Sequence, residues 1–217
     1  MFRVLCLLIC LPLSVSANSL SSVGRIENVA TGGGCTATLV SETILVTAAH
    51  CLKDGQITGF VFRPSFPHDA QTVNVRRAIH HPLYAPTQSK VLWRLRFDIA
   101  IAEIERPVQL SKELSLPLGD DAVPGEDLFL VSWRNDGSSR PRQRRCTAID
   151  AVPDLVTLTC AVQSGESGAP VFRLTETGPE LVAVISSRAV WGSQPVAHAS
   201  NVRLRLPPLF NALKSTP

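Results

Sequence analysis

Short apolar or alternating runs recur along this chain, each cut off by Gly, Pro, Asn or Ser, and that rhythm restricts the fold more than anything else in the sequence. Residues 36–40, 43–47, 59–62, 72–79, 98–104, 128–133, 155–160 and 181–186 read as β-strands. No long stretch carries the i, i+3, i+4 spacing of an amphipathic helix. The exception is short: Leu209, Phe210 and Leu213 behind Pro207 predict one helix over 207–214. The chain is therefore expected to be all-β and predominantly antiparallel.

Pattern-breaking residues crowd 105–126, where Arg106-Pro107, Leu116-Pro117-Leu118-Gly119 and Pro124-Gly125 interrupt every period. They divide the chain into an N-terminal β unit over 18–110, a linker over 111–126 and a C-terminal β unit over 127–217. Residues 1–17 place Arg3 before an apolar stretch and end Val15-Ser16-Ala17, the pattern of a secretory signal peptide. A secreted or periplasmic protein, free of the membrane after signal removal, is the expectation. Of six cysteines, Cys6 and Cys10 would leave with that segment. The remaining Cys35, Cys51, Cys146 and Cys160 are an even set in an exported chain and suggest two disulfides, with three pairings open.

The formal net charge of +3 is too small to make nucleic acid or an anionic membrane the main partner. Arg140, Arg142, Arg144 and Arg145 crowd a stretch rich in Ser, Pro and Gly, 135–145, which reads as a solvated loop. His80 and His81 are adjacent, so on a strand they point to opposite faces and do not share an ion. No metal and no cofactor is implied.

Three segments carry chemistry. A serine hydroxyl becomes a nucleophile when an imidazole takes its proton, and that imidazole needs an acceptor on its other nitrogen. His50 in Thr47-Ala48-Ala49-His50-Cys51, Asp98 in Phe97-Asp98-Ile99-Ala100 and Ser167 in Gly165-Glu166-Ser167-Gly168-Ala169-Pro170 fit those roles. The anion formed in acyl transfer needs backbone N–H donors in one concavity, for which Gly165 and Ser167 are placed.

Together these segments resemble the chymotrypsin-like (trypsin-fold) serine peptidases. The histidine segment matches that family's motif in full, and the segment 79–84, Ile79-His80-His81-Pro82-Leu83-Tyr84, resembles the His-Pro-X-Tyr stretch upstream of the aspartate. The serine segment has Glu166 where Asp is commonest and Ala169 where Gly is commonest. The order His, Asp, Ser is also the family's. The resemblance implies two perpendicular six-stranded antiparallel β-barrels with a short C-terminal helix, His50 and Asp98 on the first, Ser167 on the second and substrate between. It implies a serine endopeptidase acting on protein or peptide substrates through a covalent acyl-enzyme, expected as a monomer. A catalytically silent binding protein on the same scaffold is the alternative, and an esterase a third option.

The resemblance further suggests Cys35–Cys51 as one disulfide, leaving Cys146–Cys160 as the other. Cys160, seven residues before Ser167, looks closer to the bacterial, glutamyl-endopeptidase-like branch. Substrate-binding positions carried over are Ala161, where an Asp would select Lys or Arg, Ser186, and Arg188. Arg188 with His198 would favour acidic side chains. Animal members often mature by cleavage before an Ile whose amine pairs with the carboxylate preceding the serine, here Arg25-Ile26 and Glu166. Only nine positions separate Ile26 from Cys35, so the opening strand is expected to be abbreviated.

Overall fold

Alternate residues of one extended segment, 99–104, face two different apolar interiors. In the computed structural model, which describes residues 21–52, 57–65, 72–108, 116–138, 140–152 and 154–215 (151 and 152 by backbone alone), Ala100 and Ala102 point into the core of a first barrel. Ile99 and Ile101 point the other way, into a cluster shared with Val131, Trp133, Phe172 and Leu181 from a second. A strand buried on both sides has no polar face to show, which is why this segment reads as solidly apolar.

The first barrel is closed in the order β1-β2-β3-β6-β5-β4. Its strands are β1 (Val23–Asn28), β2 (Gly34–Leu39), β3 (Ile44–Thr47), β4 (Phe60–Pro64), β5 (Val73–His80) and β6 (Ala100–Ile104), with helix α1 (Val91–Arg96) between the last two. The second closes as β10-β11-β12-β9-β8-β7. It comprises β7 (Asp127–Ser132), β8 (Arg142–Val152), β9 (Leu155–Leu158), β10 (Pro170–Thr175), β11 (Gly178–Trp191) and β12 (Gln194–Asn201). Every paired neighbour is antiparallel. Closure removes the sheet edges that would otherwise recruit other chains.

Helix α2 (Leu206–Ser215) ends the described chain, where residues 207–214 were expected to be helical. Its Leu206, Leu209 and Leu213 lie on one stripe and enter the inter-barrel cluster. Two disulfides, Cys35–Cys51 and Cys146–Cys160, lie one in each barrel. The fold is thus the chymotrypsin-like pair of six-stranded barrels.

Three local expectations are corrected. Residues 142–145 are not loop: they form the start of β8, paired with Phe129, Leu130, Val131 and Ser132 of β7. The opening strand is not abbreviated, since β1 has six residues paired to β2 on one side and β4 on the other. Helix α1 had no counterpart in the sequence pattern. The proposed signal segment 1–17 and the linker's first residues, 111–115, lie outside the described residues. Among those described, no helix is long and apolar enough to cross a membrane.

Candidate active site

His50 sits in a single 3-10 turn (Ala49–Cys51) directly after β3. Ala48 and Ala49 are fully buried, so only small side chains fit at the start of this turn, and the disulfide from Cys51 to Cys35 ties its end to β2. The imidazole is left 39% exposed, facing outward from an anchored backbone.

Asp98 lies in the three-residue step between α1 and β6, its side chain only 4% exposed. Oδ1 accepts the backbone N–H of His50 at 2.9 Å, and Oδ2 lies 2.7 Å from His50 Nδ1. Ser186 Oγ donates to the same Oδ2. Ser186 occupies a register shift in β11, where Ile185 pairs with Ala199 but Ser187 with His198. A bulge of this kind re-aims one side chain out of the strand's alternation, here toward Asp98. With Nδ1–H directed at the carboxylate, Nε2 carries the free lone pair. Cys35 and Cys51 bring their sulfurs within 4.8 Å of a His50 ring nitrogen, but both are spent in a disulfide and offer no thiolate to a metal.

Ser167 lies in the tight turn before β10 and is half-buried. Its carbonyl accepts the N–H of Thr36 at 2.8 Å, and Gly168 N–H donates to Ile185 O at 2.7 Å. Thr36 follows Cys35, whose disulfide partner Cys51 follows His50, so three short links join the serine turn to the histidine turn across the two barrels. Thr36 Oγ1 donates to Gly165 O at 2.9 Å, a further link. Gly165 has φ +92°, and a Cβ there would lie 2.7 Å from the Asn135 backbone nitrogen, so no other residue fits without displacing backbone. In this turn Glu166 and Ala169 N–H donate to Gln163 O and Glu166 O. The N–H groups of Gly165 and Ser167 meet no acceptor among the described residues, leaving two donors in one turn.

Two clefts flank His50. One, of about 330 Å³, is lined by His50, Tyr84, Leu95, Asp98, Ser186 and Ser187. The other, of about 430 Å³, is lined by residues that include Cys35, His50, Phe60, Asn135 and Ser164. Ala161 is exposed and its carbonyl accepts Arg144 Nη1 at 2.9 Å. Arg188 is exposed on β11, opposite Ala197. His198 is half-buried with Nδ1 3.1 Å from Thr157 Oγ1; burial pulls its pKa below the ordinary imidazole value, opposed by Asp150.

Sequence reasoning missed what surrounds Glu166. This carboxylate is fully buried and is met by Ser132, Gln163, Arg134 and Arg144. The partners lie up to 34 positions away, and no local pattern in the sequence marks them.

Comparison with known proteins places these features in context. The family model described as Trypsin matches residues 15–202. "Transmembrane protease serine 11E" of Mus musculus is 30% identical over 155 residues, 66% of this chain and 34% of that protein. "Serine protease 23" of Homo sapiens is 26% identical over 170 residues, 64% of this chain and 43% of its own. "Phenoloxidase-activating factor 3" of Holotrichia diomphalia is 24% identical over 208 residues, covering 74% and 58%. The chain thus spans roughly a third to under three-fifths of the length of these curated relatives.

Proposed function

We propose that this chain, which belongs to the trypsin family, is a serine endopeptidase in which Ser167 is the nucleophile, His50 the general base and then acid, and Asp98 the group that orients His50. The observation that carries this reading is the double hold of Asp98 on His50, reinforced by Ser186, which leaves the lone pair of Nε2, 3.8 Å from the disulfide sulfur of Cys51, to accept a proton. Ser167 Oγ attacks the substrate carbonyl as its proton passes to Nε2. The resulting oxyanion is met by the unused N–H groups of Gly165 and Ser167. Collapse of that intermediate breaks the C–N bond, the leaving amine takes the proton from His50, and water repeats the sequence on the acyl-enzyme.

The two clefts that meet at His50 are the proposed places for an extended chain on either side of the scissile bond. Ala161, Ser186 and Arg188 are the proposed substrate-binding positions. Absence of an acidic residue at Ala161 argues against selection of Lys or Arg, and a preference for acidic side chains rests on Arg188 and His198. A placement near the bacterial glutamyl endopeptidases rests on the spacing of Cys160 from Ser167 alone, and the relatives found are animal proteins. Secretion after removal of 1–17, a first unit over 18–110, a linker over 111–126, a second unit over 127–217 and a monomeric state complete the proposal.

Labelling with a fluorophosphonate probe tests it: adduct confined to Ser167, abolished in Ser167→Ala, is the expected result. A well-folded chain that neither labels nor cleaves peptide substrates would overturn it.

A further inference from the structure

The carboxylate next to the proposed nucleophile is saturated from within the chain. Glu166 Oε1 accepts Ser132 Oγ at 2.5 Å and the Arg144 guanidinium; Oε2 accepts Gln163 N–H at 2.7 Å and lies 3.3 Å from Arg134 Nε, an ionic contact without hydrogen-bond alignment. Neither oxygen is open to a further cation. Arg144 also binds the Ala161 carbonyl through Nη1, so one side chain grips both ends of 161–166. Asn135 N–H closes on Ser164 O at 3.0 Å. Arg134 follows β7 and Arg144 pairs with Leu130 from β8, so two neighbouring strands supply both cations.

The residue that a cleavage after Arg25 would liberate is elsewhere. Ile26 is 1% exposed, lies between Cys35 of β2 and Phe62 of β4 in the ladder, and packs in the first barrel's core. Delivering its amine to Glu166 would dismantle β1.

We infer that Arg134 and Arg144, through Glu166, hold the serine turn assembled with no freed N-terminus, making them positioning residues for Ser167 and making cleavage after Arg25 unnecessary. The inference rests on the peptidase reading for its consequence, but the clamp is measurable without activity. Besides Arg134 and Arg144, the charged groups acting on this cluster are Arg142 on β8 and, paired to it, Asp136. Guanidinium groups remain charged to high pH, whereas an α-amino group titrates at about 7.7–8.0.

The test compares the secreted wild-type chain, Arg25→Gln, Arg134→Met/Arg144→Met, Arg144→Lys and a chain produced to begin at Ile26. It reads fluorophosphonate labelling and hydrogen exchange at the Glu166, Gly168 and Ala169 amides. Arg25→Gln is expected to label at the wild-type rate, with a flat profile from about pH 8 to 10 and protected turn amides. The double Met variant should lose at least about tenfold in labelling rate and lose turn protection while the first barrel's strands stay protected, and Arg144→Lys should recover part of both. Labelling and protection confined to the chain beginning at Ile26, or an unprotected turn in Arg25→Gln, would overturn the inference and leave the peptidase reading standing. Turn protection lost only in the double Met variant, with no form labelling, would support the clamp and sink the peptidase reading.

Discussion

Asp98 holds His50 at two points, the backbone N–H by one carboxylate oxygen at 2.9 Å and ring Nδ1 by the other at 2.7 Å. The first contact fixes where the 3-10 turn sits and the second fixes which nitrogen carries the proton. Asp98→Asn separates the two. An amide keeps one acceptor for the backbone but turns an N–H₂ toward Nδ1, so the ring proton moves to Nε2 and the base is lost. Turnover should fall on the order of 10³–10⁴-fold, a magnitude taken from serine proteases with this triad, with the fold retained. Steady-state kinetics beside circular dichroism checks this, and a loss below tenfold would reject Asp98 as the orienting group.

Gly168 brings the backbone of the serine turn close against Thr36 and Thr47 of the first barrel. A Cβ there would lie 2.1 Å from Thr47 Oγ1 and 2.2 Å from Thr36 O, at φ +78°. Thr47 Oγ1 already donates to Thr36 O at 2.8 Å, so neither atom can yield freely. Gly168→Ala should cost about 2–4 kcal/mol, strain and overpacking combined. Gly192, at φ +61° with nothing within 4 Å, is the control. Gly192→Ala should cost no more than about 1 kcal/mol, from backbone strain alone. Urea unfolding of both variants gives the comparison, and equal losses would deny the close approach its role.

The strands legible in the sequence are those whose inward faces are large and apolar, such as β3 with Leu45 and Val46 and β7 with Leu128, Leu130 and Val131. Two of the strands missed, β8 and β12, are built otherwise. In β8 the exposed end is Arg142, Gln143 and Arg145, and among its described side chains only Cys146 and Ala148 are buried, so composition resembles a loop while pairing to β7 makes a strand. β12 buries Ala197, Ala199, Ser200 and Asn201, small or polar residues that alternation in hydropathy does not flag. Ser200 Oγ donates to Leu95 O at 2.5 Å, a contact spanning 105 positions. Of the candidate site, the histidine, aspartate and serine segments were legible because each is a local motif. The Arg134–Glu166–Arg144 cluster was not, because its members meet only once the second barrel closes.

The Cys35–Cys51 bond closes a loop across a separation of 16 and anchors the turn that carries His50. In the chain-entropy account a loop of this size contributes about 3 kcal/mol. Cys35→Ala/Cys51→Ala should therefore lower the unfolding free energy by about that amount and also reduce peptidase turnover, since the end of the histidine turn is freed. Activity and urea unfolding measured together check this. Undiminished turnover with the expected stability loss would show that Asp98 alone suffices to place His50.

His81 provides a pH-dependent contribution separate from catalysis. Its Nδ1 accepts Leu83 N–H at 3.2 Å, which requires the neutral ring, and the ring packs 4.8 Å from Phe97. Burial lowers its pKa below the ordinary 6.5; Arg205, whose guanidinium lies over the other partner Phe97, lowers it further, and Asp154 opposes both. The unfolded chain thus takes up a proton at 6.5 that the folded chain refuses until lower pH. Stability from this group is fully present above that value and is lost as pH falls from 6.5 toward the depressed folded value. His198, lowered by burial against Asp150, acts with the same sign. The melting temperature should therefore decline on acidification below about pH 6.5. His81→Asn keeps an acceptor for Leu83 N–H without a titrating ring, and should decline less steeply over this window. Carboxylates acidify identically in both proteins, so the difference in slope isolates His81. Parallel slopes for wild type and His81→Asn would show that His81 protonates equally in the folded and unfolded chain.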